Sequence, residues 1–287
     1  MVTILSTVHA YRHLCTVPTG PERERAWVEQ YEAAYPEVFE VYYRGYGDPE
    51  GRSESAARVE RLAGDLADRE QRLRLMLHRA EAAFVAAGLL SAGDELPVVL
   101  MVGTAGSDAW VDVFRGVPTL FVALEMVSGP TTDELLLTHE LVHVAHYRRQ
   151  VLALASDPHL REQVGFRVWA EGLAVTGTRM LMPGRAETAY FSVDSDEWFD
   201  NCRARLPLLA RTIRDHLSDV DAALVHTLCG VSTGQPWPSR AGYWVGDLIA
   251  RELVGSGFDL NSLLDLRPGD VADVLLRSTT LAADCSL

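Results

Sequence analysis

The spacing of apolar positions changes character along the chain, and the changes mark out its elements. Residues 2–8 suit a short first strand. Pro21 opens a run, PERERAWVEQYEAAYPEVFEVYY, with apolar residues at helical spacing. A proline fits the first turn of a helix, and the acids after it fit the positive end of the helix dipole. Gly45, Gly47, Pro49 and Gly51 predict a loop. Residues 54–89, rich in Ala, Leu, Arg and Glu, predict one long or two broken helices whose mixed charges read as a solvated face. Near Pro97 the pattern shifts. VVLMV is the short apolar run of a strand buried on both faces, Ala109 to Phe114 alternates until Gly116 and Pro118, and Thr119 to Leu124 is a third strand. From residue 131 onward nearly everything reads as helix, with no internal repeat. The expectation is an α+β fold, helix-rich, with one small mixed sheet beside the helix near 131–150. It is a single unit over residues 1–287, with a helical part of about 1–92 and a second portion of about 93–287.

Composition narrows the function. The 287 residues are 48% hydrophobic and 23% charged, as expected of a folded globular chain. A net charge of -14 argues against a nucleic-acid partner, because so acidic a surface repels phosphates. All 26 basic residues are arginine, which excludes chemistry that needs a lysine amine, such as Schiff bases or a Walker lysine. Cys15, Cys202, Cys229 and Cys285 are widely spaced, so neither a disulfide framework nor a cysteine zinc knuckle is expected. No apolar run reaches the ~18 to 20 residues of a membrane span. The opening MVTILSTVHAYRHL has no signal-peptide pattern. The expected location is the cytoplasm, with no membrane partner.

One segment carries chemistry. In TTDELLLTHELVHVAHYRRQ, residues 131–150, Thr131 and Glu134 form the capping-box pattern of a helix start, and Arg148 and Arg149 suit the last turn. Within it His139-Glu140-Leu141-Val142-His143 is H-E-x-x-H. Two histidines four residues apart share one helical face and can grip one divalent ion, with Glu140 beside it as general base. Imidazole nitrogen is a normal zinc ligand at ~2.0 to 2.1 Å. A catalytic zinc needs a third protein ligand, and Glu171 in Val168-Trp169-Ala170-Glu171-Gly172-Leu173-Ala174 is the candidate. An unpaired carboxylate is costly in such an apolar stretch, and the small Gly172 and Ala174 permit close approach to another backbone. The bland reading of Glu171 is a salt bridge to Arg167 or Arg179. His146 is a rival ligand, but along a straight helix it stands about 10 Å from His139.

HELVH followed by WAEGLA resembles the gluzincins, the zincin peptidases whose third zinc ligand is a glutamate. The closer likeness is to the bacterial YjaZ-type family of predicted zinc-dependent proteases, which shares H-E-x-x-H, E-G-L-A and a late helix with a G-Y-x-x-G-like start, here Gly242-Tyr243-Trp244-Val245-Gly246. The likeness covers roughly residues 95–255. It implies zinc held by His139, His143 and Glu171, with Glu140 as catalytic base. The 27 residues between His143 and Glu171 exceed the spacing of thermolysin-like enzymes. Such chemistry also needs an oxyanion donor. Tyr243 is the first choice, with His226, Tyr190 and Tyr147 in reserve.

Gluzincins hold peptides along a sheet edge, and the strand at 119–124 is the candidate edge. The acids Asp194, Asp196, Glu197 and Asp200 lack EF-hand spacing and read as a solvated loop. The expected function is a zinc metallopeptidase acting on a peptide or protein. The rivals are a zinc hydrolase of a non-peptide amide or small biosynthetic intermediate, and an inactive zincin-fold binding module. Oligomeric state and peptide preference are not legible.

Overall fold

The computed structural model describes residues 1–231 and 234–284. The chain divides into two compact units, residues 1–144 and 145–287, with the division inside one helix. Cys285 lies outside the described residues.

The first unit holds the one sheet found among the described residues. Strands β1 (Val2–Ser6), β2 (Leu96–Met101), β3 (Ala109–Phe114) and β4 (Val117–Ala123) lie in the order β1-β2-β4-β3. β1, β2 and β4 run parallel, in a register that sets Leu5 opposite Val99 and Leu100 opposite Val122. β3 is antiparallel to β4, with Trp110 opposite Phe121. β2 and β4 are the apolar interior strands, as strands buried on both faces must be. The expected substrate edge at 119–124 is therefore overturned, because that segment is interior and the sheet edges are β1 and β3. The β3–β4 turn is Arg115-Gly116, with φ of 52° and 83°. Positive φ at both positions is what a two-residue hairpin of matching twist requires.

Helices fill the remainder of this unit. They are α1 (Val8–His13), α2 (Pro21–Ala26), α3 (Pro36–Gly45), α4 (Arg52–Ala57), α5 (Val59–Ala63) and α6 (Leu66–Ala86). The run opened by Pro21 does not form one helix. After α2 it passes through a π turn at Trp27–Tyr31 and a 3-10 turn at Glu32–Ala34. Pro36 then forces Tyr35 out of helical geometry before α3 begins. Residues 52–86 break into three helices rather than two. The breaks fall at Arg58 and at Gly64-Asp65, and the second is a pair of poor helix formers.

An aromatic series joins these helices to the sheet. Tyr11, Trp27, Tyr31 and Phe39 meet edge to face, and Tyr42 continues through Trp110 to Phe121. Tyr31 sits at its centre, fully buried. Its hydroxyl donates to Val102 O (2.8 Å), accepts from Val102 N (3.0 Å) and meets Thr7 Oγ1 (2.8 Å), which ties the ends of β1 and β2 together.

Helix α7 (Pro130–Arg149) carries the H-E-x-x-H segment. Its start differs from the expected capping box. The helix begins one residue earlier, at Pro130, and Thr131 is exposed. Asp133 does the reaching back, accepting from Ser128 N (2.9 Å) and Gly129 N (3.1 Å) while paired with Arg72 at 2.8 Å.

The second unit is helical. It contains the end of α7, then α8 (Val151–Ser156), α9 (Val164–Leu181), α10 (Glu187–Phe191), α11 (Glu197–Ala204), α12 (Leu206–Asp215), α13 (Ala222–Cys229), α14 (Ala241–Gly255), α15 (Leu260–Leu264) and α16 (Pro268–Asp284). α9 is apolar nearly all round and is buried from Val164 to Thr178 apart from Arg167, so it forms the axis of this unit. α9 and α14 cross at Gly172 and Gly246, where a Cβ on either glycine would overlap the other helix's backbone. Beside the crossing, buried Asp247 accepts from Thr176 Oγ1 (2.7 Å) and Arg179 Nη1 (2.5 Å). At the end of α7, Gln150 Nε2 donates to the carbonyls of Leu264 and Leu266. No helix among the described residues is long and apolar enough to cross a membrane.

Two substitutions test these joints. Tyr31→Phe strands both backbone groups of Val102 and should destabilise the protein by about 1–3 kcal/mol. Gly172→Ala forces the α9–α14 crossing apart and should cost about 1–3 kcal/mol or more. Denaturant unfolding of each variant measures the loss, and wild-type stability in either would remove that joint from the account.

Candidate metal centre

The apolar positions of α7 wrap nearly its whole circumference, with Leu135, Leu137, Leu141, Val142 and Val144 all buried. A helix so placed holds its polar side chains in fixed surroundings. His139 and His143 are one turn apart on one face. Their Nε2 atoms converge to 3.2 Å, with ring centroids 4.9 Å apart and planes at 79°. Two nitrogens bound to one tetrahedral zinc at ~2.05 Å stand about 3.3 Å apart, so the rings already have the separation of a ligand pair. Glu140 is buried at 7% exposure, and ligand atoms of His139, Glu140 and His143 all lie within 4.8 Å of one another. His143 is buried and His139 partly exposed, which leaves one side of the pair towards solvent. Two neutral imidazoles and a carboxylate suit a borderline divalent ion such as zinc.

The other expected site residues, Glu171 and Tyr243, lie in the second unit. Glu171 on α9 is 4% exposed, and its Oε1 is 3.0 Å from Nη2 of Arg167, one turn earlier. The bland partner of Glu171 is thus present, whereas Arg179 is paired instead with Asp247 and Glu187. Arg167 is held charged: burial works against the charge, but the combined attraction of Glu171, Tyr147, Cys229 and Tyr243 raises the guanidinium above its ordinary range. Tyr243 stands in the first turn of α14. Burial, together with the charge of Glu171, pushes its hydroxyl well above the usual tyrosine range. Burial and the same carboxylate push the Cys229 thiol up to about 12. Cys229 was not singled out in the sequence as a neighbour of this carboxylate, and no local motif signals it.

The remaining candidates have structural settings. His146 is buried and stacks on Phe166, with centroids 5.4 Å apart and planes at 15°. The Tyr190 hydroxyl donates to Met182 O (2.7 Å) and accepts from Arg185 N (3.2 Å). Tyr147 is buried beneath Arg161, and His226 is exposed. The acids at 194, 196, 197 and 200 are exposed, but the expected loop holds only Asp194 and Asp196, since Glu197 and Asp200 stand in the first turn of α11, where acids suit the helix dipole. Among the described residues, His139, Glu140 and His143 are the one acid, histidine or cysteine group close enough to share an ion. Compared with models of protein families, with curated proteins and with solved structures, the chain matches none of them.

Equilibrium dialysis against zinc should load one ion per chain. His139→Ala and His143→Ala should each weaken that binding by at least about a hundredfold. Unchanged loading in both variants would rule out the imidazole pair as the site.

Proposed function

We propose that the chain is a zinc-dependent hydrolase of peptide bonds, of the gluzincin kind and akin to the YjaZ-type proteases. The observation that carries this reading is the 3.2 Å approach of His139 Nε2 to His143 Nε2 with Glu140 beside them. A zinc ion bound there would supply an acidified water and polarise the scissile carbonyl. His139 and His143 would hold the ion, and neutral imidazoles would leave its charge undiminished. Glu140 takes the proton released as the carbonyl is attacked and hands one to the leaving amine. Its neighbouring position on the helix, between the two histidines, suits that task. Glu171 is assigned as the third ligand. Its pairing with Arg167 is compatible with that role, since ligating carboxylates are commonly held by a second hydrogen-bonding partner. Tyr243 is assigned to donate a hydrogen bond from its hydroxyl to the developing oxyanion, keeping its proton. The substrate is a peptide or protein, and the location proposed is the cytoplasm.

The test is Glu140→Gln, read in two ways. Metal content should remain at one ion per chain, while hydrolysis of a fluorogenic peptide library should fall by at least about a hundredfold. Cleavage at the wild-type rate would contradict the assignment of the base. A wild-type enzyme that cleaves small amides but no peptide would transfer the activity to the non-peptide class.

A further inference from the structure

A cavity of about 310 Å³ lies wholly within the first unit, outside the carboxyl ends of its three parallel strands. That edge of a parallel sheet is where strand-end loops gather to hold ligands. Tyr11 enters it from α1, just after β1, Gly103 and Ala105 from the loop after β2, and Glu125 from the end of β4. Arg61 on α5 and Arg69 on α6 also line it. None of His139, Glu140 or His143 lines it, so a ligand held there is independent of the hydrolase reading.

The cavity presents polar groups that its own walls do not satisfy. Glu125 Oε1 accepts from Gly103 N (2.9 Å) and Ala105 N (3.2 Å), whereas Oε2 is buried and accepts nothing among the described residues. Ala105 donates from a left-handed conformation, φ 61°, which a non-glycine residue adopts only where its surroundings hold it. Tyr11 is 1% exposed, and its hydroxyl has no hydrogen bond among the described residues. Burial raises the Glu125 carboxyl above its ordinary range, against the pull of the two amides and Arg69. A positive group placed against Oε2 would oppose that rise.

The charges of the cavity balance only in part. Arg58 is paired with Glu54. Arg69 Nη1 donates to the carbonyls of Leu124 (2.9 Å) and Val127 (3.1 Å), and neither Arg69 nor Arg61 pairs with a carboxylate among the described residues. The lining therefore holds two guanidinium groups without a carboxylate partner, the buried Glu125 carboxylate and Asp65. A simple anion would sit against Glu125, and a simple cation against the arginines. A molecule carrying both signs meets both kinds of group, and Leu62, Val102 and Met126 add apolar surface to the lining. The volume is at the small end of ligand pockets.

We propose that this cavity binds a small zwitterion, a free amino acid or dipeptide with an apolar side chain. Its ammonium donates to Glu125 Oε2 and the Tyr11 hydroxyl, and its carboxylate accepts from Arg61 and Arg69. The probes are L-leucine, L-methionine and glycyl-L-leucine, titrated into the full chain by calorimetry. The comparators are 4-methylpentanoate, which lacks the ammonium, 3-methylbutylamine, which lacks the carboxylate, and inorganic phosphate. At least one zwitterion should saturate a single site below about 10 mM, with every comparator at least about tenfold weaker. Arg61→Ala, at an exposed position that leaves folding intact, and Glu125→Gln should each weaken binding at least about tenfold. The proposal is overturned if no zwitterion saturates, if phosphate or either half-molecule binds as tightly, or if Arg61→Ala binds as wild type.

Discussion

Two imidazole nitrogens 3.2 Å apart on one face of a largely buried helix constrain everything built around them. Ring nitrogens at that distance must share something. They can share one proton, with one ring donating to the other, or one ion that accepts a lone pair from each. The proton alternative fixes a donor tautomer on one ring. The ion alternative uses both rings in the same state and brings the adjacent Glu140 carboxylate into play. The buried leucines and valines of α7 hold both rings where a four-residue step puts them, so the pair is preorganised by packing before any ligand arrives.

The second unit shows a different means of placing polar groups among apolar ones. Gly172 directly follows Glu171, and Gly246 comes one turn after Tyr243. The contact of α9 with α14 at those two glycines therefore also brings Glu171 and Tyr243 into each other's field. Arg167, one turn before Glu171 on the same helix, supplies a fixed positive partner. The glycines matter here for backbone approach: both are helical, and neither needs a positive φ.

Much of this was legible in the sequence, and the illegible parts have physical reasons. The VVLMV run, the 109–114 alternation and residues 2–6 of the 2–8 segment became strands, whereas Val8 already opens α1. The helix of the H-E-x-x-H segment was legible from its own periodicity, but its start was not: Asp133 is tied to Arg72, a distant partner that no local pattern reveals. Sheet order was likewise beyond local reading, since nothing in residues 117–123 shows that a hairpin from β3 covers their outer side. The breaks in the N-terminal helices follow from Pro36 and Gly64, which periodicity alone overrides too readily. The His139, Glu140 and His143 cluster was readable because its geometry is set within two helical turns. The cavity around Glu125 was not, because it is assembled from the segments after β2 and β4, from Tyr11 of α1 and from the stretch of α4 to α6.

The central claim is that the imidazole pair exists to hold a divalent ion. X-ray absorption at the zinc edge, on protein loaded with one equivalent, tests it directly. The account predicts a shell containing two imidazole rings with nitrogens at about 2.0–2.1 Å. A shell of oxygen alone, with no imidazole scattering, would contradict it.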